Sequence, residues 1–411
     1  MRSDLWALRV RCSAWLSRFL DWAVRPNIST RYGVRDAYLT WQVFGIGAGV
    51  VAVLVVAHRS MLSTKVVGIL CFATVSVIVL LHRGGHRWSR HSGFVGWARS
   101  PIYHHQIIAL AVAILLLLQL RQPPLPYLDA LVVGWMVAQA AGRIGCLMAG
   151  CCYGRPHGWG VCYGSKHLEA GHIHYLAGVR LFPVQLLESL SLICLAGVAV
   201  LQISTGVKPG DIVAWYFIGY ACVRFHLEFL RGDTGRPYLR GFSEAQWIAV
   251  LISVLTVGMQ LSGVLVVHWW HLILAAVPIV VMVTVTICKR MAPAQFSGLS
   301  KPLDLREFVF AARWTKSMAT EFLKDETTIA PAAVSTTSLG IQLSAACKVE
   351  AGGSVIKYEL SNPYAPMSHK AARRLARLVR LVISPQANIA IESGVGGAFR
   401  FELAASGSSG I

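Results

Sequence analysis

Eight apolar stretches, separated by shorter polar or basic segments, dominate the chain up to about residue 290. They cover residues 39–57, 66–82, 106–120, 128–149, 185–203, 211–230, 243–262 and 266–288. A helix needs about 20 apolar residues to cross the hydrocarbon core of a bilayer, and most stretches reach this length once their flanks are included. The pattern predicts an all-α polytopic membrane protein with seven or eight transmembrane helices, the eighth being the last stretch.

The character of the chain changes after the last apolar stretch. Residues 291–302 are rich in proline, glycine and serine and predict a linker. Residues 303–411 predict a small soluble α+β domain. Its strand-like segments are 338–345, 354–360, 387–393 and 398–404. The predicted organisation is a basic N-terminal segment (1–37), a transmembrane domain (38–290), the linker and this C-terminal domain.

Residues 368–383 of the C-terminal domain predict an amphipathic helix. One face carries Leu375, Leu378, Val379 and Val382. The rest of the surface is largely basic, with Lys370, Arg373, Arg374, Arg377 and Arg380. Two interpretations stay open at this point: a solvated basic face on a helix of the domain core, or contact with acidic lipid headgroups.

The composition supports the membrane assignment. The chain is 55% hydrophobic and only 14% charged, whereas soluble domains carry about a quarter charged residues. Its net charge of +19 is scattered among the apolar stretches, which argues against a nucleic-acid partner and favours a membrane partner. The basic segments are the N-terminal segment, residues 83–100, residues 231–240 and the residues after Cys288. With eight spans, these segments and the loop 150–184 all lie on one side of the membrane, and the positive-inside rule predicts that this side is cytoplasmic.

The first charged group inside an apolar stretch is Arg143, near the end of the fourth. It lies between Gly142 and Gly145, and Gly150 and Gly154 follow. Glycines allow close backbone approach, and a guanidinium at membrane depth suits a phosphate because its planar fork binds such oxygens in pairs. The alternative is that Arg143 simply extends to the membrane interface.

The second case is Tyr220, Arg224 and Glu228, which recur at four-residue intervals and so share one face of a helix. Arg224 and Glu228 can pair at this spacing, either as a structural ion pair or so that Glu228 orients Arg224 toward an anionic ligand. Arg231 follows. Two arginines on separate spans favour a lipid-phosphate clamp, provided that both reach one shared site.

The ten cysteines show no regular disulfide framework. Cys146, Cys151, Cys152 and Cys162 invite a metal interpretation, but their spacing fits no tetrahedral zinc pattern, and adjacent cysteines rarely bind one ion together. The spacing therefore predicts neither a metal nor another cofactor.

Four separated motifs resemble the prolipoprotein diacylglyceryl transferase family. They are GRIGCLMAGCCYGRP from Gly142, FPVQLLES from Phe182, YACVRFHLEFLR from Tyr220 and GFSEAQW from Gly241. Their order and spacing agree with the family over roughly residues 38–262. The first 35 residues and the chain after residue 290 lie outside the resemblance.

The resemblance implies transfer of a diacylglyceryl group from phosphatidylglycerol, or a similar anionic phospholipid, to the lipobox cysteine of a prolipoprotein at the bacterial inner membrane. It implies that Arg143 and Arg224 stabilise the negative charge of the leaving phosphate and that Glu228 holds Arg224 in place. It also implies that His104 is the base that takes the proton from the acceptor thiol. Further substrate contacts are implied for Tyr220, Gly142, Gly145, Cys146, Gly154, Gln185, Glu188 and Arg231.

The chain also departs from the family pattern. His104 lacks the two glycines that follow the family histidine, Cys146 replaces an asparagine, Cys151 an acidic residue, and Phe182 a histidine. Two alternatives therefore stay open: the chain transfers the lipid to a different acceptor, or it is an inactive relative that only binds phospholipid. A membrane transporter is the rival from another class, but it predicts inverted repeats that the sequence does not contain. The resemblance also places the loop 150–184 outside the cytoplasm, against the charge count.

Overall fold

The computed structural model describes residues 2–31, 33–92, 103–170, 175–291, 296, 298–324, 332–350, 353–385, 387, 389–394 and 397–404. A helix, α1 (Arg2–Ala23), and a hairpin of β1 (Asn27–Thr30) and β2 (Gly33–Asp36) precede the apolar region. Asp36 then accepts a hydrogen bond from the Leu39 amide and caps the first apolar helix.

Each of the eight apolar stretches forms a helix. These are α2 (Ala37–Arg59), α3 (Thr64–Ser92), α4 (Tyr103–Gln119), α5 (Pro124–Ala149), α7 (Val184–Thr205), α8 (Asp211–Leu227), α9 (Glu244–Leu261) and α10 (Trp269–Met291), with the short α6 (Ser165–Glu169) between α5 and α7. Six of them are long and apolar enough to cross a membrane. The other two, α4 and α8, have 17 residues each. The prediction of a polytopic helical membrane protein is confirmed.

Helix α5 lies at the centre of the helical domain, where it packs against α2, α7 and α8. Its closest neighbour is α2. At Gly49 of α2, an added Cβ would lie 2.7 Å from the carbonyl oxygen of Gly134 on α5. The two backbones can approach this closely only because neither residue carries a side chain.

This close approach gives a stability prediction. Gly49→Ala is expected to lower the free energy of unfolding by about 1–3 kcal/mol, because the new methyl group forces the two helices apart. Gly47→Ala is the matched control, since Gly47 is on the same helix and an added Cβ there meets nothing within 4 Å. Thermal unfolding of both variants in one detergent measures the difference. Equal midpoints would contradict the packing argument.

The loops after α5 and α8 contain short pairs of strands. They are β3 (Pro156–Cys162) with β4 (Arg180–Leu181), and β5 (Tyr238–Leu239) with β6 (Phe242–Ser243). An antiparallel bridge between Gly154 and Arg231 joins the two loops. Both loops therefore lie at the same end of the helical domain.

The C-terminal domain is a five-stranded antiparallel sheet with two helices. Its elements are α11 (Pro302–Lys324), β7 (Ala333–Thr336), β8 (Gln342–Glu350), β9 (Gly353–Ser361), α12 (His369–Ile383), β10 (Ile391–Ser393) and β11 (Phe399–Ala404). The strand order is β10-β11-β9-β8-β7. The predicted α+β class is confirmed, although the sequence interpretation missed α11 and β7 and began β8 too early.

The predicted amphipathic helix is α12. Leu375 and Val379 are buried in the domain core, while Arg373, Arg374 and Arg377 are exposed. The buried face packs with core residues of the sheet, including Tyr358 and Phe401. The apolar face of α12 is therefore part of the domain core, and its exposed basic face is compatible with both interpretations.

The C-terminal domain lies at the same end of the molecule as the loop after α5. Arg155 donates from Nη1 to the Leu299 carbonyl at 3.1 Å and from Nη2 to the Ser300 carbonyl at 2.7 Å. Arg306 on α11 lies over the ring of Tyr175, 5.9 Å from its centroid. Helix α10, which directly precedes the linker, is one of the six helices long and apolar enough to span a membrane.

Candidate functional site

Glu188, near the start of α7, is the centre of the charged cluster inside the helical domain. Its Oε2 lies 3.0 Å from Nε of Arg143, and its Oε1 lies 3.9 Å from Nε of Arg224. The hydroxyl of Tyr220 donates to Oε1 at 2.8 Å. Glu188 is fully buried. Two arginines from α5 and α8, distant in the sequence, therefore converge on one carboxylate.

Glu228 holds Arg224 from the other side, as the four-residue spacing predicted. Arg224 Nη2 lies 2.7 Å from Glu228 Oε2, and Arg236 Nη1 donates to both carboxylate oxygens at 2.8 Å. Glu228 lies in the 3-10 turn that follows α8. The guanidinium groups of Arg224 and Arg236 together compensate the charge of this buried carboxylate.

Arg231 lies next to this pair and is also buried. It binds Asp233 through two parallel hydrogen bonds, from Nε at 2.8 Å and from Nη2 at 2.9 Å. Burial opposes its charge, yet the Asp233 carboxylate raises the pKa of Arg231 above its ordinary value. Its Nη1 is buried and has no hydrogen-bond partner among the described residues. This atom is a donor available to an anionic ligand.

Gly154 brings the loop after α5 against Arg231. A Cβ at this position would lie 2.3 Å from the carbonyl oxygen of Phe182 and 2.8 Å from Cγ2 of Val184. The absence of a side chain at Gly154 therefore lets the start of this loop pack against its end. In the other loop, a Cβ at Gly232 would lie 2.5 Å from the Gly154 carbonyl oxygen, so a glycine there lets the two loops meet.

Gly142 and Gly145 lie inside α5 and face α2. A Cβ at Gly142 would approach the Gln42 side chain to 3.2 Å, and one at Gly145 would approach the backbone of Tyr38 to the same distance. The structure thus gives both glycines a role in packing the helix that carries Arg143. Their predicted contact with substrate stays a prediction.

A ladder of polar groups continues from the cluster into the helical core. Tyr220 stacks on Tyr216 with ring centroids 5.8 Å apart. The hydroxyl of Tyr216 accepts hydrogen bonds from Gln106 at 3.1 Å and Gln139 at 3.0 Å. Sequence reasoning missed this ladder, because single glutamines on two separate helices carry no spacing signal.

Asp233 and Arg236 were also missed. They follow Arg231 in the alternating run Arg-Gly-Asp-Thr-Gly-Arg, and such a mixed-charge run after a charged helix end was the signal that could have identified them. His104 lies on α4, but its side chain is outside the described part of the chain. Its role as a base stays a prediction.

Three cysteines converge beside the arginine cluster. The Sγ atoms of Cys146, Cys151 and Cys152 all lie within 4.8 Å of one another. Gln185, one turn before Glu188 on α7, donates from Nε2 to the Cys151 carbonyl at 2.8 Å. Cys162, which the sequence analysis considered together with these three cysteines, is not part of this cluster.

The helices and the buried arginine–glutamate cluster define a polytopic membrane protein with a charged site inside its helical domain. Residues 97–262 match the family model described as prolipoprotein diacylglyceryl transferase. This match contains all four sequence motifs, so the resemblance is confirmed for this part of the chain.

Individual proteins of the same description are similar over 128 and 133 residues. The phosphatidylglycerol–prolipoprotein diacylglyceryl transferase 2 of Clostridium perfringens is 34% identical over 128 residues, which are 31% of this chain and 47% of that protein. The corresponding enzyme of Clostridium tetani is 33% identical over 133 residues, 32% of this chain and 51% of that protein. The chain thus spans about half the length of the relatives it matches.

Proposed function

We propose that this chain transfers a diacylglyceryl group from phosphatidylglycerol, or a similar anionic phospholipid, to a cysteine thiol of a lipobox-containing prolipoprotein at the bacterial inner membrane. The observation that carries the proposal is the convergence of Arg143 and Arg224 on Glu188. The similarity of residues 97–262 to proteins of that activity supports it.

The reaction demands fixed positive charge at one place. The acceptor sulfur attacks the glycerol carbon that bears the phosphate, the carbon–oxygen bond breaks, and its electron pair leaves with glycerol phosphate. The phosphate gains one negative charge during this step. Arg143 and Arg224 stabilise that charge, and their ion pairs with Glu188 and Glu228 hold the guanidinium groups in place before the lipid binds.

Binding of an anionic phospholipid without transfer is the second candidate. It is favoured by the departures from the family pattern, among them Cys151 in place of an acidic residue and Phe182 in place of a histidine. Such a protein would bind the lipid and release it unchanged. The two candidates therefore differ in whether a thioether forms.

A transfer assay separates them. The purified full-length protein is incubated with labelled phosphatidylglycerol and a lipobox peptide, and the label on the peptide is measured. We expect label in a thioether on the cysteine peptide and none on a peptide with serine in its place. Lipid binding with an unlabelled cysteine peptide would contradict the transferase proposal and support the binding one.

A further inference from the structure

The cluster of Cys146, Cys151 and Cys152 has no part in the phosphate site described above. The three sulfur atoms lie within 4.8 Å of one another. In a tetrahedral zinc site with Zn–S bonds of about 2.3 Å, sulfur atoms are about 3.8 Å apart. A contraction of about 1 Å or less at each pair would therefore seat one ion among them.

The backbone explains how adjacent cysteines can face one ion. Helix α5 ends at Gly150 in the left-handed conformation, with a φ of 79°. Cys152 is also left-handed, with a φ of 56°. This conformation is uncommon in a residue other than glycine. It turns the chain back after Cys151, so that two neighbouring thiols converge on Cys146 instead of pointing apart.

The number of thiols favours a metal ion over a disulfide. A disulfide would use two of the three sulfurs and leave the third without a role, whereas an ion uses all three. Soft thiolates select ions such as Zn²⁺. Cys146 is buried, while Cys151 and Cys152 are half-buried, so one side of the cluster is accessible to a fourth ligand.

The surrounding charge also suits such a site. Three thiolates and one Zn²⁺ carry a net charge of −1, and a fourth thiolate makes it −2. The neighbouring cluster has four arginines (Arg143, Arg224, Arg231 and Arg236) and three carboxylates (Glu188, Glu228 and Asp233), so its net charge of +1 offsets the −1 of a site with three thiolates. Arg143 lies three residues before Cys146 on α5, on the same side of the helix. The cysteine cluster is therefore adjacent to the group that binds the leaving phosphate.

We propose that Cys146, Cys151 and Cys152 bind one Zn²⁺ ion whose fourth position takes the thiol of the acceptor. Sites with three protein ligands and an open position are those in which zinc acts on a substrate. This inference rests on the proposed function, because it assigns the activation of the acceptor thiol in that reaction. It also accounts for cysteines at two positions where the chain departs from the family pattern.

Binding to zinc converts the acceptor thiol to a thiolate and releases its proton. The zinc-bound sulfur then supplies the electron pair for the new bond to the glycerol carbon. The bond between that carbon and the phosphate oxygen breaks, and its electron pair leaves with glycerol phosphate. The product is a neutral thioether, which binds zinc more weakly than a thiolate and can dissociate. No oxidant or reductant is needed.

The metal is tested first, on the full-length protein in detergent. Elemental analysis is expected to find about one zinc ion per chain in the unaltered protein and in the control variant Cys162→Ser. We expect little zinc in Cys146→Ser and Cys152→Ser. A chelated sample of the unaltered protein, reloaded with Co²⁺, is expected to show sulfur-to-cobalt absorption, and this measurement does not depend on how a variant folds. Absence of the ion, or a disulfide between two of the three cysteines, would overturn the proposal.

The acceptor position is tested with the lipobox peptide. The cysteine peptide is expected to change the absorption of the cobalt-loaded protein, and the serine peptide is expected to leave it unchanged. Chelation should abolish transfer, and Zn²⁺ should restore it. Transfer that proceeds unchanged without metal would overturn this inference and leave the proposed function standing. A metal-loaded protein that binds the peptide thiol but never transfers the lipid would instead overturn the proposed function, and acceptor activation with it.

Discussion

Replacing Arg224 by alanine is expected to lower the rate of diacylglyceryl transfer by about 100-fold or more, because removing one preplaced donor to a developing negative charge typically has an effect of this size. Arg224 is almost completely buried, and two carboxylates hold it in place. Water cannot easily substitute for the missing charge. The initial rate of labelling of the lipobox peptide measures the effect, with the folded state checked by gel filtration in the same detergent.

Two further variants make this result specific. Arg224→Lys keeps the charge but loses the planar fork, so we expect its rate to fall between those of the unaltered protein and the alanine variant. Arg59→Ala, at the exposed end of α2, should leave the rate unchanged. A folded Arg224→Ala variant with full activity would remove Arg224 from the phosphate site.

The elements that could be predicted from the sequence are those whose formation depends on residues close together along the chain. Apolar runs of about 20 residues identify helices because a bilayer imposes that length, and all eight were found. The four-residue spacing of Tyr220, Arg224 and Glu228 fixed their common face, and the Arg224–Glu228 pair is present. The helix at 302–324 was missed because apolar and charged residues are mixed along it and no apolar run is long enough to mark a membrane helix.

The site depended on contacts that spacing does not encode. The resemblance implied Glu188 only as a substrate contact, but it joins Arg143 and Arg224 because α5, α7 and α8 pack together. The cysteine cluster depends on a left-handed residue at Cys152, a conformation uncommon in a residue other than glycine. Both features follow from tertiary packing and local backbone geometry. The spacing of residues along one sequence does not reveal either of them.

Glu188→Ala is expected to destabilise the protein and to abolish transfer. The substitution leaves the guanidinium of Arg143, whose side chain is 14% exposed, without its carboxylate and removes one of the two partners of Arg224. Breaking a buried ion pair on one side typically costs about 3–5 kcal/mol, because the remaining charge is desolvated and uncompensated. Thermal unfolding in detergent measures the loss, and Glu169→Ala, at an exposed glutamate, is the control expected to show none.

The double variant Glu188→Met with Arg143→Met separates stability from function. Replacing both members of a buried ion pair with apolar residues of similar volume is often neutral or stabilising, and Arg224 keeps its partner Glu228 at 2.7 Å. We therefore expect the unfolding midpoint to recover most of what Glu188→Ala loses, while transfer stays abolished because one of the two proposed phosphate-binding cations is gone. Recovery of both properties together would mean that Arg143 contributes only to folding, and the clamp would then rest on Arg224 and Arg231.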